Sequence, residues 1–143
     1  MIRTKLPAFA VAEAGKSRRM SVETPGAPAD RFAEIFADAK VEKLAVAHLD
    51  KAGGVIAVRE REGSLVGEID LPIREMLVEA LKLESAGLIL AHNHPSGDPS
   101  PSRNDIHATR MLAAAGRALD IPLLDHLIFA GDKCVSFREL GLL

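Results

Sequence analysis

His92 and His94 stand two residues apart in a stretch that reads as extended chain. Side chains alternate along a strand, so residues at i and i+2 face the same side. Both imidazoles can therefore reach one metal ion. They follow directly on Gly87-Leu88-Ile89-Leu90-Ala91, the kind of continuous apolar run that marks a strand buried on both faces. The carboxyl end of such a strand is where α/β sheets place their ligand sites.

From His94 the chain runs Pro95-Ser96-Gly97-Asp98-Pro99-Ser100-Pro101-Ser102-Arg103-Asn104-Asp105. Its prolines leave this loop few conformations to lose when it orders. It delivers Asp105 to the first turn of the next helix. Two neutral nitrogens and a carboxylate, with a fourth position open to water, are the donor set of a catalytic zinc site. A plainer reading stands beside this one. Ser102-Arg103-Asn104-Asp105 also resembles a helix-capping box with Asp in place of Glu, which needs no metal. The two are compatible, since Ser102 can cap while Asp105 binds.

Other chemistries find less support. There is no His-Glu-x-x-His helix, and a nucleobase deaminase needs a Pro-Cys-x-x-Cys that a chain with the single Cys134 lacks. Ser96 and Ser102 lie near histidines, but neither occupies a Gly-x-Ser-x-Gly turn. Cys134 itself reads as a small buried hydrophobe.

The elements that must position these groups follow from periodicity. Residues 1–29 show no clear period and end in Thr24-Pro25-Gly26-Ala27-Pro28, the composition of an arm or linker. The domain proper is expected over 30–143. Asp30 caps a helix with Phe32, Ile35, Phe36 and Ala39 on its apolar face. Strands are predicted at 43–50 and 55–59, joined by a turn at Lys51-Ala52-Gly53-Gly54. Asp70 and Pro72 open a helix striped by Ile73, Met76, Leu77, Ala80 and Leu81. After the strand at 87–91, a helix opened by Ser102 carries Ile106, Thr109, Met111, Leu112 and Ala115. Strands at 121–130 and 134–137 close the chain. The expected class is α/β, a single mixed-sheet domain with flanking helices.

Composition narrows the setting. The 143 residues carry a net charge of −2 with no concentrated basic footprint, which offers little to duplex DNA. Aromatics are only 3%, too few to stack single-stranded bases. The longest apolar run near the start, Leu6 to Ala12, is broken by Pro7 and falls far short of the ~20 residues of a membrane span. One cysteine permits no internal disulfide and suits a reducing compartment, so the cytoplasm is expected.

The stretch His92-x-His94-Pro95, followed by Ser102-x-x-Asp105 with ten residues between His94 and Asp105, resembles the JAMM signature of JAB/MPN-domain metalloproteases. The wording His-Asn-His-Pro-Ser-Gly, with Asp125-His126 downstream, resembles the bacterial RadC family in particular. The likeness runs from about Val41 to Leu143. It implies the JAB/MPN (cytidine-deaminase-like) fold and zinc held by His92, His94 and Asp105. It also implies a catalytic Glu at the end of the first helix, just before the first strand. Glu42 matches that place, with Glu34 as the fallback, and Ser102 would help hold a developing oxyanion. His126 is then a core histidine or part of the site wall, while His48 and His107 are structural or exposed.

The activity implied is hydrolysis of a peptide or isopeptide bond, the partner being a peptide or protein substrate. A nucleic-acid or DNA-repair role, the label often attached to such chains, and a silent scaffold are the other readings. Two departures bear on them. The helix-hairpin-helix segment usual before this domain does not fit residues 1–29, and Ile73-Arg74-Glu75 stands where Pro-Arg-Glu is customary.

Overall fold

The apolar run at 87–91 forms a strand with every residue buried, and the sheet is arranged around it. The computed structural model describes residues 28–62 and 71–143. In chain order these form α1 (Pro28–Phe36), β1 (Lys43–Leu49), β2 (Val55–Glu62), α2 (Ile73–Lys82), β3 (Gly87–Asn93), α3 (Arg103–Ala118), β4 (Leu123–Ala130) and β5 (Lys133–Ser136). The succession of helices and strands is the one expected from periodicity. The strand order is β2-β1-β3-β4-β5. Only β3 and β4 pair in parallel, joined through α3, and the other neighbours are antiparallel.

Two apolar layers sandwich the sheet. On one face Leu44, Val46, Leu88 and Leu90 meet Met76 and Leu77 of α2 and Leu112 of α3. On the other, Ala45, Ala47, Ile89 and Ala91 meet Phe32 and Phe36 of α1. Each fully buried Leu or Ile stabilises by ~1.5–3 kcal/mol relative to exposure. Alternation along β3 thus assigns every second residue to each layer, and this decides where the polar residues at its end must go.

Several boundaries differ from the sequence expectation. Pro28 and Ala29, placed in the arm, are buried residues of α1, so Asp30 sits in its first turn rather than capping it. Proline fits there because the first helical N–H groups have no partner within the helix. Residues 1–27 and Asp70 lie outside the described residues. Ala39 lies beyond the end of α1. Pro72 occupies the cap position of α2 instead of its first turn. Met111 and Leu81 are exposed. Met111 falls opposite the stripe of Asp105, Thr109, Leu112, Ala113 and Gly116 that α3 buries, at 3.6 residues per turn. β3 continues past Ala91 because its ladder with β4 runs on to Asn93 opposite Phe129.

Gly116 brings the end of α3 against the next turn, with the Ile121 N–H donating to its carbonyl at 2.7 Å. A Cβ at this position would collide with the Ile121 carbonyl oxygen. Gly116→Ala is therefore expected to destabilise by ~1–3 kcal/mol, as overpacking does, despite alanine's better helix propensity. Urea unfolding measures it, and an unchanged midpoint would mean the turn can move aside.

Cys134 is buried in the layer beneath α1, and burial, followed by the charges of Asp125 and Glu139, pushes its thiol up to about 12. Only the thiolate reacts, so at pH 8 roughly one thiol in ten thousand is competent. Alkylation by iodoacetamide should be orders of magnitude slower in the native chain than in urea. Equal rates would place the thiol at the surface.

Candidate metal centre

His92 extends from β3 on the face shared with Leu88 and Leu90 and is fully buried. His94 lies one residue past the strand, yet its N–H donates to the Phe129 carbonyl at 2.8 Å, so the extended path continues. The two rings accordingly face the same side, with Nε2 of His92 2.9 Å from Nε2 of His94. Asp105, near the start of α3, brings Oδ2 to 3.6 Å from His92 Nε2 and 3.4 Å from His94 Nε2. Glu42 places Oε2 4.0 Å from His92 Nε2. Among the described residues, Glu42, His92 and His94 form a group able to hold a metal ion, their ligand atoms all within 4.8 Å of one another.

Donor chemistry tests the fit. His94 Nδ1 is 2.7 Å from the Asp98 carbonyl oxygen, which can only accept, so the proton of a neutral ring lies on Nδ1. Its Nε2 lone pair then points at the Nε2 of His92 and at a carboxylate oxygen. Such a point requires a cation, either a proton or a metal. Ligands at ~2.0–2.2 Å around a tetrahedral ion lie ~3.3–3.6 Å apart; the two Asp105 separations match this, while the 2.9 Å between the histidine nitrogens is shorter and would have to open slightly around an ion. The residues fit.

Without a metal, the pair His94–Asp105 accommodates the charge. Burial pushes His94 down, but the hydrogen bonds to Asp105 and to the Asp98 carbonyl outweigh it and hold the ring above its ordinary value. Burial likewise pushes Asp105 up, but the adjoining His92 and His94 imidazoles and the Ser102 N–H reverse this, holding it well below the usual carboxylate range. For His92, burial dominates and lowers the ring.

The capping box and the convergence on the histidines turn out to share one oxygen. Ser102 Oγ accepts from the Asp105 N–H at 2.9 Å, and Asp105 Oδ2 accepts from the Ser102 N–H at 2.9 Å. The box thereby fixes the carboxylate that faces both histidines. Ser102 Oγ, while accepting, keeps its own O–H for donation. The intervening loop folds back on His94. Gly97 takes a left-handed φ of +94° that favours glycine, and its N–H donates to the His94 carbonyl at 3.1 Å.

Glu42 is buried but does not end a helix as expected, because α1 stops at Phe36. It sits in the connection just before β1. Asn93 holds that connection on both sides: Lys43 N–H donates to Asn93 Oδ1 at 2.7 Å, and Asn93 Nδ2 donates to the Val41 carbonyl at 3.1 Å. Glu34, the fallback acid, is on α1 and exposed.

Sequence reasoning passed over Asn93, although strand alternation sends it away from the histidines, where a buried amide must find partners. It also passed over Thr109 as anything but packing. His126 is buried in the wall of the site, its Nε2 2.7 Å from His92 Nδ1. His48 is a structural residue, buried and hydrogen-bonded to Ser85 at 2.8 Å, and His107 is exposed. A cleft of about 360 Å³ opens beside His94, walled by Phe36 and Phe129. A larger one, about 440 Å³, lies between α2 and the first two strands and touches none of the four converging residues.

The family model of the RadC-like JAB domain matches residues 22–142. A UPF0758 protein of Salinibacter ruber is 40% identical over 129 residues, covering 90% of this chain and 55% of that protein. UPF0758 protein STH371 of Symbiobacterium thermophilum is 41% identical over 133 residues, covering 92% and 56%. A UPF0758 protein of Roseiflexus castenholzii reaches 54% identity over 70 residues, 49% of this chain and 30% of that protein. The chain spans just over half the length of the first two relatives. A five-stranded mixed sheet with flanking helices is the JAB/MPN fold, and the chain belongs to the RadC-like JAB domain family.

Proposed function

We propose that this domain is a zinc-dependent hydrolase of peptide or isopeptide bonds. The observation that carries the reading is the convergence of His92 Nε2, His94 Nε2 and Asp105 Oδ2, with Glu42 set slightly farther away. His92, His94 and Asp105 would hold the ion. When bound, zinc supplies Lewis acidity and lowers the pKa of an attached water to ~7.

The remaining roles belong to the chain itself. Glu42 takes a proton from the attacking water at Oε2 and passes it to the leaving amine. Ser102 donates its O–H to the oxyanion that develops on the substrate carbonyl. The rigid loop and the capping box keep these groups oriented without reorganisation during the reaction. The proposed substrate is a peptide or protein, for which the cleft beside His94 offers one adjoining recess. A net charge of −2 favours that partner over nucleic acid. Among the described residues no helix is long and apolar enough to cross a membrane. The lone, buried Cys134 supports a reducing compartment, and the cytoplasm is the proposed setting.

Metal analysis after reconstitution with zinc tests the reading, comparing wild type with His92→Ala and then screening peptide and isopeptide reporters. One zinc per wild-type chain, lost in the variant, is expected. A wild type that binds none would sink the proposal. Zinc binding with no hydrolysis across the screen would favour the scaffold reading.

A further inference from the structure

Behind the converging donors runs a line of hydrogen bonds with only one consistent direction. Thr109 Oγ1 donates to the backbone carbonyl of Asp105 at 2.6 Å. That oxygen can only accept, so the single hydroxyl proton of Thr109 is committed to it. His126 Nδ1 lies 2.7 Å from the same Oγ1 and must therefore be the donor. A neutral ring with its proton on Nδ1 leaves Nε2 as an acceptor. His126 Nε2 is 2.7 Å from His92 Nδ1, so His92 must carry its proton on Nδ1. Its Nε2 is thereby left bare, facing His94 and Asp105.

The neutrality of His126 follows from its surroundings. The ring is buried, lies flat on Phe137 at 4.4 Å between centroids, and gives both nitrogens to His92 and Thr109. A charged imidazolium there would be desolvated with neither ring nitrogen on a carboxylate.

We propose that Thr109 and His126 are positioning residues that lock His92 in the tautomer whose Nε2 is free to bind a metal. The lock begins on the carbonyl of Asp105, so one helical turn of α3 supplies a carboxylate to the site and orders the histidine opposite it. The inference rests on reading His92 as a ligand, but the tautomer can be observed without any metal. Imidazole nitrogens that act through a second partner of this kind commonly change metal affinity by ~10–100-fold when that partner is lost.

The experiment uses the full chain with ¹⁵N-labelled histidine, and reads both imidazole tautomers by long-range ¹H–¹⁵N correlation in metal-free protein. Zinc affinity is measured alongside by competition with a chelating dye. Wild type should show His126 and His92 each protonated on Nδ1. Thr109→Val keeps the shape but removes the hydroxyl; it should mix or reverse the His92 tautomer and weaken zinc by about 10–100-fold. Thr109→Ser restores the hydroxyl and should recover both readouts. Wild-type His92 protonated on Nε2 would overturn the proposal, even if the valine variant does not fold. So would a valine variant that keeps tautomer and affinity, or a serine variant as impaired as valine. Absence of zinc binding in wild type would remove the hydrolase reading while the tautomers still decide the lock.

Discussion

Glu42→Gln is expected to leave zinc content at the wild-type level while turnover of a reporter falls by about a hundredfold or more, the usual cost of losing a general base. Its Oε2 stands 4.0 Å from His92 Nε2, beyond direct hydrogen bonding and at a distance that one water can bridge. Asp105 Oδ2 approaches both histidines more closely, which favours it over Glu42 as the third ligand of the proposed site. Glutamine preserves size and polarity but cannot accept the proton. The backbone on either side stays clamped by Asn93, which keeps the replacement in place. Inductively coupled plasma analysis and a fluorogenic reporter, run on one preparation, measure both quantities. Zinc loss in this variant would make Glu42 a ligand, as its membership of the 4.8 Å group allows. Full turnover would move the base elsewhere.

Asp105→Asn should fail in the opposite way, weakening zinc about a hundredfold or more. Loss of an outer partner alone costs ~10–100-fold, and here the change removes an anionic donor that lies 3.4 and 3.6 Å from the two imidazole nitrogens. The fold should survive, because the amide oxygen of Asn can still accept from the Ser102 N–H and complete the cap. Circular dichroism should therefore match wild type, and excess zinc should partly restore turnover. Added zinc should do nothing for Glu42→Gln. An Asp105→Asn chain that binds zinc as tightly as wild type would remove Asp105 from the donor set.

The part of this protein legible in its sequence is the part set by local backbone geometry. Strand alternation alone puts His92 and His94 on one side. An unbroken apolar run marks β3 as central, and Ser102 with Asp105 marks the start of α3. Each of these rests on neighbours a few residues apart. Glu42, by contrast, was placed by resemblance to a family pattern, and the resemblance put it on a helix that ends earlier.

What only the tertiary structure decided depends on register between distant strands. Pairing Leu44 with His92 brings the start of β1 beside the histidines, and Asn93 then reaches residues 41 and 43 across about fifty positions of sequence. Pairing of β3 with β4 sets Leu90 against His126 and brings that ring to His92. Thr109 joins them because α3 packs on that same face. A shift of one residue in either ladder would send these side chains to the opposite layer. Register is the outcome of the whole packed core, so no local pattern reveals it, and the residues that orient the site stay hidden until the sheet is assembled.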